Sequence, residues 1–315
     1  MEMLTTEEII KEKPKKSKKK NKSKAGWPDI MIGFFMLLVI VVTLYPFLNV
    51  LAVSLNDATD TAKGGLTIYP RVFTLQNYKE IFSSNNLLLT AFRNSVLRTV
   101  IGTIASTFAC AVLAYILSRK NFIFRKQLGV MLILTMYVSG GLIPAFLINR
   151  ELGLVNNFAV YIIPGLISAF NVIVIRSFID GLPDALEESA RIDGANDFTV
   201  FIKIIMPLCM PVLATVALFV AVGQWNNWFD TYLYARSNEN LTTLQYELMK
   251  IMDNASSMSA SDVSMMNGQQ LTAQKTTPES IKMAITIVAT VPILVVYPFL
   301  QKYFVSGLTL GAVKS

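Results

Sequence analysis

The densest group of ionisable side chains in the apolar part of this chain lies in EESARIDGAND. There Glu187, Glu188, Asp193 and Asp197 fall within eleven positions around Arg191. Clustered carboxylates can serve as an acid–base pair or as a charged handle for another protein. The rest of the chain argues against the first use. It contains no histidine, which removes the usual general base and the commonest metal ligand. Its two cysteines, Cys110 and Cys209, sit singly in apolar runs. They have no paired metal spacing, so they read as buried, inert thiols. Neither a phosphate-cradling G-x-x-x-x-G-K-[ST] loop nor a nucleophile-elbow pattern occurs. No catalytic residue, metal site or nucleotide site is therefore expected, and the cluster is read as a handle.

The elements around it follow from composition. Of 315 residues, 53% are hydrophobic and 16% charged, against about a quarter charged in soluble domains. The apolar residues come in runs long enough to cross a bilayer, which predicts an all-α integral membrane protein. Six spans are expected, near 28–54, 94–118, 127–148, 158–179, 206–224 and 281–304. Nine lysines between Lys11 and Lys24 precede the first span. They read as a disordered cytosolic tail over residues 1–27, held inside by the positive-inside rule, rather than as a nucleic-acid patch. Arg119, Lys120, Arg125 and Lys126 place the next loop in the cytosol by the same rule. Both termini and the acidic segment then lie inside, in a multi-pass protein of the plasma membrane. Pro46 is expected to kink the first span, and Gly140-Gly141 with Pro144 to break the third. The small residues Gly102, Ala105, Ser106, Ala109, Ala111 and Ala114 mark the second span as a close-packed helix.

Within the acidic segment, Leu182-Pro183-Asp184 with Glu187 three positions on suggests a capping-box-like start. The spacing predicts a short helix over 187–193, ended by Gly194 in a left-handed turn. A second helix over 195–206 then leads to Pro207 and the fifth span. Such an element can be gripped from below and can move a membrane helix.

The order Glu188-Ser189-Ala190, three residues, Gly194, nine residues, Ile204, then Met206-Pro207 resembles the EAA motif of ABC importer permeases that depend on a binding protein. Ser189 stands where the family has alanine, and Met206 where it has leucine. Asp193-Gly194-Ala195, Trp225-Asn226-Asn227-Trp228 and the ending GLTLGAVKS are similar to the carbohydrate-uptake branch, MalG-like and akin to complex-oligosaccharide permeases of Gram-positive bacteria. The resemblance covers roughly residues 28–315 and implies the type I importer permease fold. It further implies a coupling segment at 184–207 in which Glu187, Glu188, Ser189, Ala190, Asp193, Gly194, Ala195 and Pro207 meet an ATPase. Implied partners are a second permease in a heterodimer, two cytosolic ATPase subunits that carry ATP and magnesium, and an extracellular solute-binding protein.

For the sugar path, aromatic faces and amides are the expected chemistry. The candidates are Asn171, Gln224, Trp225, Asn226, Trp228 and Asp230, with Asn227, Tyr232 and Arg176 nearby. The spacing of Trp225 and Trp228 puts both on one helix face, either towards sugar or in an interfacial belt. An extracellular loop is expected over 225–280, its 236–280 part without clear helical period. An ion-gradient-driven transporter is the alternative, but the predicted spans hold almost no carboxylates and no repeat is visible. A membrane scaffold without transport is a third reading.

Overall fold

The computed structural model describes residues 27–83, 86–257 and 277–312. The lysine-rich tail up to Ala25, and most of the Ser- and Met-rich stretch 255–270, lie outside the described residues. The chain falls into two compact units, Met1–Phe47 and Leu48–Ser315. In the first, residues 27–47 are helical with every side chain exposed. They belong to α1, Trp27–Ser54, which carries Pro46 inside it. At about 1.5 Å per residue this helix is longer than a bilayer core.

The second unit is helical, and among its described residues the one β feature is an antiparallel bridge between Asn56 and Phe73. Two short helices, α2 (Ala58–Thr61) and α3 (Gln76–Ser83), fill the predicted polar segment between the first two runs. Next comes α4, Asn86–Ser118, of 33 residues. It begins well before the expected 94, because Leu87, Leu88, Leu89 and Phe92 extend its apolar run. Two ends of the bundle can be told apart by what α4 carries: Arg119 follows it at the basic end, and Asn94 and Arg98 lie near the other, called here the tryptophan end.

The third run breaks where the glycines predict. Helix α5, Arg125–Tyr137, gives way at Val138 to extended backbone, Gly141 takes φ 87°, and α6 (Leu142–Glu151) leaves at 120° to α5. Despite the bend the segment passes from one end to the other. Arg125 Nε donates to Leu117 O at the basic end (2.9 Å), and Asn149 Nδ2 donates to Tyr234 Oη at the tryptophan end (3.0 Å).

The fourth run departs from expectation. It is not one helix over 158–179 but a 3-10 turn at Phe158–Tyr161, an irregular stretch through Pro164-Gly165, and α7 at Ala169–Ile179. Pro164 withholds a backbone donor, and Ser168 restarts the helix by accepting from Asn171 N–H (3.5 Å). Eleven residues make α7 about 17 Å long, short of a bilayer core by itself.

After α8 (Ala185–Ile192) and α9 (Asp197–Val200), a π turn over Phe201–Ile205 runs into α10, Met206–Leu208. The chain then bends by 81° at Cys209 into α11, Met210–Asn226. The two prolines account for both irregularities. Pro207 cannot donate to the turn before it, which widens that turn, and Pro211 cannot donate back to Pro207, which frees the ladder to bend. Beyond α11 lie α12 (Phe229–Tyr234), α13 (Leu244–Ser257) and α14 (Pro278–Ala312). Part of the expected loop is thus an amphipathic helix. Leu244, Leu248 and Ile251, at 3.6-residue spacing, pack with Ile285 and Ala289 of α14. The start of α13 is pinned to α4: Ser95 Oγ accepts from Leu244 N–H (2.9 Å), and Asn94 donates to the carbonyls of Asn240 and Thr242.

Among the described residues, three helices are long and apolar enough to cross a membrane, five if each bent pair counts as one. Small residues let α4 lie against its neighbours as predicted: Ser106, Ala111 and Ala114 are buried. At Gly102 a Cβ would stand 2.9 Å from Gln224 Nε2 of α11. Replacing Gly102 with leucine should lower stability by about 1–3 kcal/mol through overpacking, read as a drop in the thermal midpoint of the purified protein.

Candidate functional site

At the basic end, the acidic segment forms the expected helix and turn. In α8 the last carbonyls are satisfied by a Schellman closure: Ala195 N–H bonds Ala190 O and Gly194 N–H bonds Arg191 O, each at 3.0 Å. Gly194 holds φ 83° with open space around it. Asp193 is the C-terminal cap residue, and Ala195 packs beside the core that contains Ala190. Asn196 then caps α9 by accepting from Thr199 N–H (2.8 Å).

The start of α8 differs from the predicted capping box. Asp184 has helical backbone angles and makes no capping bond. Its carboxylate is taken instead by Lys120 Nζ at 2.6 Å, and that hydrogen bond and charge hold it below the ordinary carboxylate range. A depressed value means the tie is present at neutral pH and is lost only as pH falls below about 3.9. Glu187 is paired with Arg119, whose guanidinium lies 4.4 Å above the Tyr115 ring. Arg191 reaches across the turn to Asp197 (2.6 Å).

Ala190 is buried and belongs to one apolar cluster with Tyr115, Ile175, Ile179, Val200, Phe201 and Ile205, where a longer side chain would hold the helix off. One side of α8 is therefore tied to Arg119 at the end of α4 and shares the apolar cluster of α4, α7 and the segment after α9. The other side is open. Glu188 and Ser189 are exposed, with Ser189 Oγ donating only to Leu186 O (3.1 Å). Ile192, one turn after Glu188, is 86% exposed, and Phe198 beyond the turn is 69% exposed. Pro207 is exposed at the far end of the segment, in the π-turn connection.

At the tryptophan end, Gln224, Trp225 and Asp230 of the expected path residues hydrogen-bond within the bundle. The centre is Arg98 of α4, 1% exposed, which the sequence reading passed over although a charge inside an apolar span was its signal. Its guanidinium donates to Asp230 Oδ2 (2.8 Å), Gln224 Oε1 (3.0 Å) and Asn227 O (2.9 Å), and lies 4.5 Å over the Tyr161 ring. Gln224 Nε2 donates onward to Tyr161 O (3.1 Å). Asp230 and Gln224 are thus committed to Arg98. Trp225 is buried, with Nε1 donating to Ala289 O (2.9 Å) and Phe92 edge-on to its ring. Helix α11 stops at Asn226, so Trp225 and Trp228 do not share a helix face, contrary to expectation. Trp228 instead clusters with Phe229 and Tyr232, and Arg236 lies 5.4 Å over the Tyr232 ring. Asn226 is exposed and accepts from Gln245 (3.3 Å). Asn171 is buried in the first turn of α7, apart from this group.

This arrangement of helices matches known proteins. The family model described as binding-protein-dependent transport system inner membrane component matches residues 87–310. The chain belongs to that family. This permease is 38% identical over 286 residues to the polygalacturonan/rhamnogalacturonan transport system permease protein YtcP of Bacillus subtilis (strain 168), covering 91% of this chain and 98% of that one. It is 37% identical over 273 residues to protein LplC of the same organism, covering 87% and 90%. Among solved structures it is similar to a bacterial ABC transporter involved in the import of the acidic polysaccharide alginate, with a TM-score of 0.78 and 27% identity, covering 90% of this chain and 99% of that one. The resemblance seen in the motif spacing is borne out at the level of family and fold: a helical, multi-pass membrane permease of type I architecture.

Two substitutions test the geometry. Arg98→Leu strands Asp230, Gln224 and the Asn227 carbonyl and should cost about 3 kcal/mol; in thermal melts, adding Asp230→Leu should cost less than the sum of the single changes. Gly194→Val meets no side chain but must adopt φ 83°. It should lower stability by about 1–2 kcal/mol and loosen the 185–197 segment in amide exchange.

Proposed function

We propose that this permease forms half of the path by which an ATP-driven importer takes up an oligosaccharide, with α8 as the handle moved by a separate ATPase. The open side of α8 carries the reading. Glu188 and Ile192 are presented outward from a helix whose opposite side is tied to Arg119 and shares the apolar cluster of α4 and α7, and Phe198 of the next helix is exposed as well. Two large exposed apolar side chains and an exposed carboxylate within one short segment have the composition of a docking face. Force applied there passes through the Schellman turn and the π-turn connection into α11. Lacking a phosphate loop, the chain leaves ATP and magnesium to that partner.

In this reading six spans cross the plasma membrane with both termini in the cytosol, the short α7 and its 3-10 turn together forming the fourth. The basic end faces the cytosol, in keeping with Arg119, Lys120, Arg125 and Lys126. A second permease completes the path in a heterodimer, two ATPase subunits bind below, and a solute-binding protein docks at the tryptophan end, beside α12 and α13. Trp228, Phe229 and Tyr232 with Arg236 offer stacking surface and a cation to an incoming chain. Acidic oligosaccharides are the substrate class we infer, because the similar proteins include a polygalacturonan/rhamnogalacturonan transport permease and an importer of the acidic polysaccharide alginate. Asn226 remains a path candidate, whereas Gln224, Trp225 and Asp230 serve the scaffold.

Glu188→Lys puts like charge where a basic or backbone donor of the ATPase is expected. In proteoliposomes holding the full importer, it should cut ATP-driven uptake of oligogalacturonate more than tenfold while the purified complex keeps its subunits and melting temperature. Wild-type uptake by this variant would refute the handle.

A further inference from the structure

A cavity of about 350 Å³ opens between the ends of α4, α5 and α7 at the basic end. Its upper wall is apolar, formed by Leu117, Leu132, Ile133, Val172 and Ile173, and its floor is polar, formed by Arg176, Ser177 and Asp180. The floor is short of negative charge. Arg176 Nε lies 3.3 Å and Arg125 Nη2 3.8 Å from the same oxygen, Asp180 Oδ2, so two guanidiniums share one carboxylate. The sharing is incomplete as well. Arg176 Nε is buried yet makes no hydrogen bond, its N–H pointing off the line to the carboxylate. Such an orphaned charged donor costs free energy until an acceptor arrives. Gly129 leaves the approach to Arg176 clear, since a Cβ there would lie 3.5 Å from Arg176 Nη1. Lys126, exposed and three residues before Gly129 on the same side of α5, adds a further cation at the rim.

An apolar slot ending in an under-neutralised cationic floor, at the end of a membrane bundle, has the chemistry of a lipid with a negatively charged head. We infer that this cavity binds an anionic phospholipid, its acyl chain along Ile133 and Ile173 and its phosphate on Arg176 and Ser177. The position gives it leverage. Asp180 and Gly181 of the floor lead within four residues to α8, so an occupied floor braces the chain from which the docking helix departs. The inference concerns the membrane around the permease and stands whichever solute is carried.

The test is native mass spectrometry of the full complex purified through this chain. It is incubated with phosphatidylglycerol, with phosphatidylcholine of the same acyl chains, or with inorganic phosphate. Phosphatidylglycerol should be retained at least fivefold more than phosphatidylcholine. Arg176→Gln should abolish that preference, and Arg176→Lys should keep most of it. Lys203→Gln, an exposed cation elsewhere, should leave it unchanged. Ile133→Trp should fill the slot with all charges intact and also lower retention, which covers the case in which Arg176→Gln fails to assemble. Equal retention of the two lipids, full retention by both Arg176→Gln and Ile133→Trp, or occupancy by inorganic phosphate in place of lipid would overturn the assignment.

Discussion

A guanidinium removed from water must be met by a carboxylate or acceptor, and in this permease that requirement applies twice along one helix. Near one end of α4, Arg98 is closed in by Asp230, Gln224 and Tyr161; just past the other, Arg119 is held between Glu187 and the Tyr115 ring. Twenty-one residues separate the two, about 32 Å of helix, close to the hydrocarbon thickness of a bilayer. The helix thus carries a clamp near each of its ends. Each clamp recruits a segment that the apolar pattern alone would leave loose: α12 at the tryptophan end and α8 at the basic end.

Between the clamps, packing is by small residues and by shape. Gly102 under Gln224, and Cys110, Ala111 and Ala114 beside α7 and α11, let helices approach where a larger residue would part them. Ala190 applies the same rule outside the apolar runs, since its small size brings α8 into the bundle core. The prolines do the opposite work, loosening the ladder at 207 and 211 so that α8 and α11 are joined by a bent, wide-turned connection. Rigid contact on one side and an irregular joint on the other is what a lever requires.

Much of this was legible in the sequence, for identifiable reasons. Gly194 could be placed because a helix stop with positive φ has a strong residue preference, and Gly140-Gly141 because paired glycines next to Pro144 cannot hold a continuous helix in lipid. The family was suggested by the resemblance of one segment, 188–207, to a known motif. The misses have a common cause, in that they depend on partners far along the chain. Asp184 looked like a cap because its local neighbours allowed it, but Lys120, 64 residues earlier, takes its carboxylate. Trp225 and Trp228 looked like one face until the helix ended between them. Arg98 was passed over because its partners Gln224 and Asp230 lie 126 and 132 residues further along.

That distance also sets an order of events during synthesis. Asp230 lies 132 residues after Arg98, so at about 5–20 residues per second the ribosome delivers the carboxylate roughly 7–26 s after the cation. Throughout that interval α4 exists without its counter-ion, and burying Arg98 would strand a charge in a medium that punishes it. The long side chain can wait at the headgroup level, its stem in lipid and its head in water. The close packing of α4 against α11 is therefore a late event in the biogenesis of this permease, completed only when α12 arrives.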